Sequence, residues 1–258
     1  MRTFNTLLTV LALSFSSSIA FTGCATVGGD DTVDTESDAT SAGKVDVWQA
    51  TDGQWHFHLK AGNGAILLTS EAYTSRTGAI AGVLSVLDNG VDTAQYKVVA
   101  ATHGYLIHLV AGNNEIISFS EVYSTKSNAT RAVASCVKAT TTYLDKRESI
   151  TTGARVEVRQ GETGDFYFDM FAKNGEIVVA SQHYASAASA YNGAFAVQTD
   201  GQNAAAYTLK TAIDGSWYWN VTALNGQVVG TSQMYTTKAG AMAAITATQK
   251  LMPLISVL

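Results

Sequence analysis

The 258-residue sequence contains a single proline and only two cysteines, Cys24 and Cys136. The scarcity of proline beside 22 glycines is typical of a turn-rich chain of short elements. Charged residues make up 14% of the chain and apolar residues 47%, as in an ordinary soluble globular protein. The sequence has no phosphate-binding loop, zinc-protease helix, nucleophile elbow or EF-hand loop, so no motif indicates catalysis or a cofactor.

The apolar run from Leu7 to Phe15 is too short to span a bilayer. Arg2 precedes this run, which predicts a signal peptide over residues 1–23. The following Phe21-Thr22-Gly23-Cys24 resembles the lipobox of bacterial lipoproteins, in which a lipid is attached to the cysteine. We therefore expect a bacterial cell-envelope protein that is anchored in the membrane through Cys24 and faces the periplasm or the exterior. Ordinary secretion with cleavage after Ala20 is the alternative.

The segment after Cys24 is acidic and has no aromatic residue. Residues 24–44 are therefore predicted to be the lipid anchor and a disordered tether. The acids in this segment are Asp30, Asp31, Asp34, Glu36 and Asp38. Without them and Arg2, the 16 basic and 21 acidic residues of the chain become 15 and 16. The folded part is thus nearly neutral, which argues against a nucleic acid partner.

Cys136 lies on the apolar side of a predicted helix. With Cys24 lipidated, no intramolecular disulfide can form. No histidine or asparagine motif accompanies Cys136, so we expect a buried, unreactive thiol.

A fourfold repeat organises the rest of the chain. In each copy an Asn-Gly or Asn-Asn turn is followed by a serine and a tyrosine, and the tyrosines lie 50, 61 and 51 residues apart. The pairs are Ser70 and Tyr73, Ser120 and Tyr123, Ser181 and Tyr184, and Ser232 and Tyr235. No general base repeats with them, so we interpret them as a structural motif. The serines are expected to satisfy local backbone groups, and the tyrosines to pack with their hydroxyls hydrogen-bonded.

The residues around this motif predict a β-β-β-α unit. Upstream of the first tyrosine, Trp55, Phe57 and Leu59 alternate with polar residues, as in a strand with one buried face. Asp-Gly and Asn-Gly pairs separate three such strands in each copy. Two residues after each tyrosine stands a predicted helix N-cap, namely Ser75, Thr125, Ser186 and Thr237. A helical apolar period follows each cap.

Residues 166–177, with Ser181 and Tyr184, resemble the YegP-like family, a domain of unknown function that occurs as tandem repeats. The resemblance recurs in all four copies. It implies an α+β fold in which two repeats share an antiparallel sheet covered by helices, and it brings no established activity. We therefore expect repeat pair one over residues 45–144, a linker over 145–154 and repeat pair two over 155–258.

A basic residue follows three of the four caps, namely Arg76, Lys126 and Lys238. A cation at a helix N-terminus opposes the helix dipole. Glu71 and Glu121 lie five residues before Arg76 and Lys126, so we predict local ion pairs there. An anion-binding role for the basic residues is the alternative.

The outward side of the second strand is the best candidate binding face. It carries His56 and His58 in the first repeat, and Tyr167, Phe171 and Tyr218 in the third and fourth. His56 and His58 lack a third ligand nearby, which argues against a metal site. Exposed aromatics suit contact with an envelope protein or a glycan.

We thus expect a non-enzymatic envelope protein that binds or scaffolds through its exposed sheet faces. An enzyme or metal-dependent site assembled between the repeat pairs is the alternative, and it requires titratable groups that converge in a cleft. A purely structural role without a ligand is the third hypothesis, and it predicts no coherent surface patch.

Overall fold

Each repeat folds as a three-stranded meander followed by a helix, as the sequence predicts. The computed structural model describes residues 41–258, so Cys24, the signal peptide and most of the predicted tether lie outside the described residues. In the first repeat β1 spans Lys44–Gln49, β2 Trp55–Lys60, β3 Ile66–Ser70 and α1 Arg76–Asn89. The tether prediction reached residue 44, whereas β1 already begins at Lys44.

The other three repeats have the same order of elements. The second consists of β4 Tyr96–Ala101, β5 Gly104–Val110, β6 Ile116–Phe119 and α2 Lys126–Ser149. The third consists of β7 Arg155–Gln160, β8 Phe166–Phe171, β9 Ile177–Ala180 and α3 Ala187–Asp200. The fourth consists of β10 Tyr207–Thr211, β11 Trp217–Thr222, β12 Val228–Thr231 and α4 Lys238–Leu251. Short 3₁₀ turns precede β4 and β10 and follow α4.

Residues with positive φ form the hairpin turns at the positions that the sequence predicts. Gly64, Gly175 and Gly226 follow an asparagine and have φ of 91°, 84° and 82°. In the second repeat Asn114 occupies this position with φ of 66°, a left-handed conformation that asparagine tolerates better than most residues. The turn chemistry of the sequence therefore sets the strand boundaries directly.

The twelve strands form two six-stranded antiparallel sheets. The first sheet has the order β1-β2-β3-β6-β5-β4 and the second β10-β11-β12-β9-β8-β7. The two repeats of a pair meet at their third strands, where Thr69 lies opposite Phe119 in the first sheet and Thr231 opposite Ala180 in the second. The expectation that two repeats share a sheet is confirmed. This strand order places β1, β4, β7 and β10 at the sheet edges.

The helices begin at the predicted N-caps. The hydroxyls of Ser75, Thr125, Ser186 and Thr237 accept hydrogen bonds from the backbone N–H three residues later, in each helix. All four helices pack on one side of their sheet, where alternate strand residues such as Phe57, Leu59 and Trp219 are buried. Each sheet has its own hydrophobic core.

Helix α2 is longer than predicted. It has 24 residues, whereas α1, α3 and α4 have 14 each. Asp145–Ser149, which we predicted as the start of a polar linker, forms its last turns, and only 150–154 connects the repeat pairs outside regular structure. The segment is polar because one side of the helix end is exposed. Polarity alone does not separate such a helix face from a linker.

The two repeat pairs belong to one compact unit. Helix α1 packs against α3. After α4 the chain continues to Leu258: Ile255 and Val257 are buried in the core of repeat pair two, and Leu258 packs against the core of repeat pair one. The C-terminal tail (255–258) therefore contacts both cores. Among residues 41–258, no helix combines the length and the apolar character needed to cross a membrane.

Candidate binding surfaces

The side of each sheet that faces away from the helices is its outer face. In the first sheet His56 and His58 lie on this face, because Phe57 and Leu59, which alternate with them along β2, point into the core. Trp48 of β1 lies across from His56, and its ring centroid is 5.6 Å from that of His56 and 4.3 Å from that of His58. The Trp48 ring thus rests on both imidazoles. Burial and the nearby Lys60 lower the pKa of His58, which favours the neutral ring.

A charged network covers the outer face of the second sheet near its β7 edge. Arg155 and Arg159 both bind Glu157, and Arg159 also reaches Asp169 at 3.3 Å. Although burial opposes the charge of Glu157, the two arginines hold its pKa below the ordinary value. Burial raises the pKa of Asp169, and Arg159 partly offsets this effect. The guanidinium of Arg155 lies 3.9 Å from the ring centroid of Phe171, so this predicted surface aromatic is covered and only 6% exposed.

The remaining two aromatics of the predicted face lie apart from each other. The ring of Tyr167 stacks on His183 at 5.3 Å, and His183 in turn pairs with Asp165. Tyr218 lies on β11 opposite Lys210. The five predicted residues therefore belong to two sheets, and most of their rings already have an intramolecular partner. Within residues 41–258 no three metal-ligating side chains cluster closely enough to hold a metal ion.

The four motif serines make identical hydrogen bonds. Ser70 Oγ accepts from the backbone N–H of Phe57 at 2.9 Å and donates to the carbonyl of Glu71 at 2.7 Å. Ser120, Ser181 and Ser232 make the same two bonds thirteen residues back and one residue on. Each serine thereby satisfies an N–H of the second strand and fixes the chain where it leaves the third. Both hydrogen-bonding capacities of the hydroxyl are used in holding the backbone.

The four motif tyrosines extend each meander by a backbone bridge. Tyr73 exchanges two hydrogen bonds with Trp55, and the other three tyrosines bridge to the matching residue of their second strand. The hydroxyl of Tyr184 departs from the expectation, because it is buried and has no hydrogen-bond partner at normal distance among the described residues. It packs against Gly193 of α3, where an added Cβ would lie 2.3 Å from it. Gly193 is therefore required for the close approach of α3 to the Tyr184 ring.

The predicted ion pairs of Glu71 with Arg76 and of Glu121 with Lys126 do not form between these residues in the described structure. Arg76 instead points toward repeat pair two, where its Nε donates to Asn192 Oδ1 at 2.9 Å. Its guanidinium lies 5.4 Å from the ring centroids of both Trp55 and Phe195. Burial lowers the pKa of Arg76, and Asp200 partly offsets this. Trp55 belongs to the same repeat as Arg76, whereas the packing of α1 on α3 supplies Asn192 and Phe195, which no local sequence pattern predicts.

A cleft lies between the two repeat pairs, where the alternative hypothesis required one, but the sequence did not identify the residues that line it. It has a volume of about 920 Å³ and lies between the edge strands β1 and β7, the end of α2 and the C-terminal tail. Arg147 of α2 lies in its wall and donates from Nη2 to Tyr191 Oη at 2.8 Å and from Nη1 to Tyr143 Oη at 3.4 Å. One sequence feature could have indicated these residues, namely the longer spacing between the motif tyrosines of the second and third repeats. Tyr143 and Arg147 lie in the extra turns of α2 that this spacing accommodates.

Cys136 is buried and is a free thiol, and burial raises its pKa to about 12. The thiolate that nucleophilic chemistry needs is thus disfavoured. Cys24, the predicted lipidation site, lies outside the described residues.

The profile of the domain of unknown function DUF1508 matches the chain four times, at residues 50–96, 100–143, 162–207 and 212–256. The chain belongs to this family. A UPF0339 protein of Pseudomonas aeruginosa is 34% identical over 100 residues, which are 39% of this chain and 91% of the relative. The YegP protein of Yersinia pestis is 35% identical over 94 residues, which are 36% of this chain and 84% of the relative. Each of these matches has the length of one repeat pair.

Among solved structures, that of YegP from Escherichia coli, titled a protein of unknown function, is similar to this chain. It is 37% identical, the match covers 39% of this chain and 88% of that one, and the TM-score is 0.37. A UPF0339 protein of Shewanella oneidensis matches over 38% of this chain and 84% of its own, with 31% identity and a TM-score of 0.36. The family is thus one of unknown function, and these relatives indicate no catalytic class.

Proposed function

We propose that this protein is a non-enzymatic, lipid-anchored protein of the bacterial cell envelope that binds a partner protein through the outer faces of its sheets. The family supplies no activity, so the proposal rests on the surface of the chain and on the lipobox-like sequence before Cys24.

The observation that carries the binding role is an exposed aliphatic residue at the same position of every repeat. These residues open the third strands: Ile66 is 48% exposed, Ile116 40%, Ile177 40% and Val228 39%. Ile66 pairs with Lys60, which is two residues from His58 and lies on the same outer face. A register shift between Leu59 and Lys60 interrupts the pleat at this pair, so it is the 48% exposure of Ile66 that places its side chain on the surface. Phe119, 37% exposed, adds to the first sheet between Thr69 and His108.

These side chains favour a protein partner over a glycan. Glycan binding uses the free face of an aromatic ring, whereas Trp48, Tyr167 and Phe171 already stack on histidines or arginines of the same chain. The exposed groups that remain are mostly aliphatic, and exposed apolar patches with a polar rim are typical of protein contacts.

The anchor is tested in the native bacterium. Globomycin, which blocks lipoprotein signal cleavage, is expected to cause accumulation of the precursor. Cys24→Ser is expected to release the protein from the membrane fraction. Normal processing and membrane retention in both experiments would remove the anchor from the proposal.

The binding surface is tested by crosslinking in envelope preparations. A partner crosslinked to the wild type is expected to be lost from the double variant Ile66→Ser/Ile116→Ser. The matched control is Ile213→Ser/Leu224→Ser, because these aliphatic residues are also exposed, at 109% and 94%, but lie in hairpin turns. Equal capture by both variants would contradict a role for the outer face.

A further inference from the structure

The cleft between the repeat pairs presents hydrogen-bond donors that have no acceptor in the described chain. A guanidinium has five N–H donors. Arg147 uses two of them, one for each of the hydroxyls of Tyr143 and Tyr191. No carboxylate among residues 41–258 lies within ion-pair distance of Arg147. Its charge is therefore compensated only by two neutral phenol groups.

The two tyrosines extend this set of donors. Each accepts a hydrogen bond from Arg147, and neither O–H has an acceptor within the described part of the chain. The rings of Tyr143 and Tyr191 lie 5.9 Å and 5.2 Å from the guanidinium carbon, which fixes the side chain in the wall. Burial opposes the charge of Arg147, but the two phenols outweigh it and raise the pKa of the group. The arginine thus stays charged where water is partly excluded.

The charges around Arg147 leave its unused N–H donors available to an anion. Lys44 and Lys146 also line the cleft, and neither is in an ion pair with a described residue. Two of the lining acids are already engaged, since Asp46 binds Lys60 and Glu157 is shared by Arg155 and Arg159. Glu148 is the other acidic side chain in the lining, and it does not pair with Arg147.

The remaining lining is largely apolar. It includes Val45, Val156, Val158, Ile150 and Leu254. A volume of about 920 Å³ is in the range of pockets that bind small organic molecules. The site therefore combines a donor-only group, suited to an oxyanion, with walls suited to an apolar body.

We propose that the cleft binds a small organic anion, whose carboxylate or phosphate group contacts Arg147, Tyr143 and Tyr191 and whose apolar part packs against β1 and β7. The proposal is independent of the outer-face partner, because none of its residues is among those exposed aliphatic side chains. It also gives the longer α2 a function, since its extra turns supply two of the three contacting side chains.

The test uses the full chain with Cys24→Ser and measures binding by titration calorimetry. The probes are phenylphosphate and benzoate, with the uncharged benzamide as the matched ligand control. We expect both anions to bind and benzamide to bind at least about tenfold more weakly, because a charge-assisted bond to a buried partner is lost. Binding of all three with equal affinity, or no binding of either anion at millimolar concentration, would overturn the proposal.

Variants connect the binding to the cleft. Arg147→Gln is expected to weaken phenylphosphate binding about tenfold or more, and Tyr191→Phe by a few-fold. The control is Arg131→Gln, on the same helix, where the guanidinium is exposed and, among the described residues, hydrogen-bonds Asn128. Circular dichroism establishes that each variant is folded. If Arg147→Gln does not fold, Tyr191→Phe carries the test alone. Unchanged affinity in the folded cleft variants would refute the site.

The acidic segment of the same chain is the competing occupant. Replacing Asp30, Asp31 and Asp34 by asparagine tests it. If the cleft is open to a free ligand, the affinity for phenylphosphate stays within about twofold. A large increase in affinity would show that this segment fills the cleft, and the proposal of a separate small anion would be overturned.

Discussion

Replacing Arg76 by alanine tests how the two repeat pairs are joined. The change removes the hydrogen bond to Asn192 and the contacts with the rings of Trp55 and Phe195. A hydrogen bond from a charged donor contributes about 1.5 kcal/mol at the lower end of its range, which suits a half-buried group. Each ring contact adds about 0.5 kcal/mol. Arg76 is a cation at a helix N-terminus, where it opposes the helix dipole, so its removal stabilises the fold by about 0.5 kcal/mol.

The hydrogen bond and the two ring contacts together, less the dipole effect, give an expected loss of about 2 kcal/mol in the free energy of unfolding. For a folded unit of this size that corresponds to a fall in Tm of about 4–8 °C. Differential scanning calorimetry measures the change.

The chain provides matched controls at the same helix position. Lys126 is exposed and makes no ion pair or ring contact with a described residue, so Lys126→Ala should change stability by no more than about 0.5 kcal/mol. Lys238 lies 5.6 Å from the Trp217 ring, so Lys238→Ala should fall between the two. A double-mutant cycle with Asn192→Ala isolates the contact across the repeat pairs. Equal effects of Arg76→Ala and Lys126→Ala, or no coupling to Asn192, would refute the reasoning.

Three further substitutions or treatments probe the repeat itself. Ser70→Ala leaves the buried N–H of Phe57 unsatisfied and should cost about 1–3 kcal/mol in urea unfolding, whereas the exposed Ser124→Ala should cost almost nothing. Gly193→Ala forces a Cβ onto Tyr184 Oη and should destabilise by about 1–3 kcal/mol, and adding Tyr184→Phe should recover part of the loss; no recovery would locate the strain elsewhere. Burial raises the pKa of the Cys136 thiol from 9.0 to about 12, so iodoacetamide should label it only after unfolding. Because the unfolded chain releases this proton first, stability should fall as the pH rises above 9 and toward 12.

Local features of the fold were predictable because each is encoded within a few residues. The hairpin turns follow from Asn-Gly and Asp-Gly, the helix starts from Ser75 and its counterparts, and the buried strand faces from alternation. The serine bonds also join residues of the same repeat, thirteen positions apart. The β-β-β-α unit occurs four times, which strengthens such predictions because every element is seen in four independent sequences.

The prediction for Arg76 was wrong because it considered only neighbours in sequence. Glu71 is five residues away, whereas the partner Asn192 is 116 residues away and belongs to another repeat pair. For the same reason the residues of the cleft were not predicted, since Arg147 and Tyr191 are 44 residues apart in the sequence. The polar end of α2 was predicted as a linker because its composition is that of an exposed surface.

The sequence by itself determined the repeat, its strands, turns and helix caps, and the chemical character of each strand face. It did so because these depend on backbone conformation and on the period of burial, which are short-range properties. Only the tertiary structure decided that α1 packs on α3, that Arg76 joins the repeat pairs, and that Tyr143, Arg147 and Tyr191 meet in one cleft. Those contacts arise from packing between segments distant in sequence, where many partners are chemically acceptable and geometry selects one.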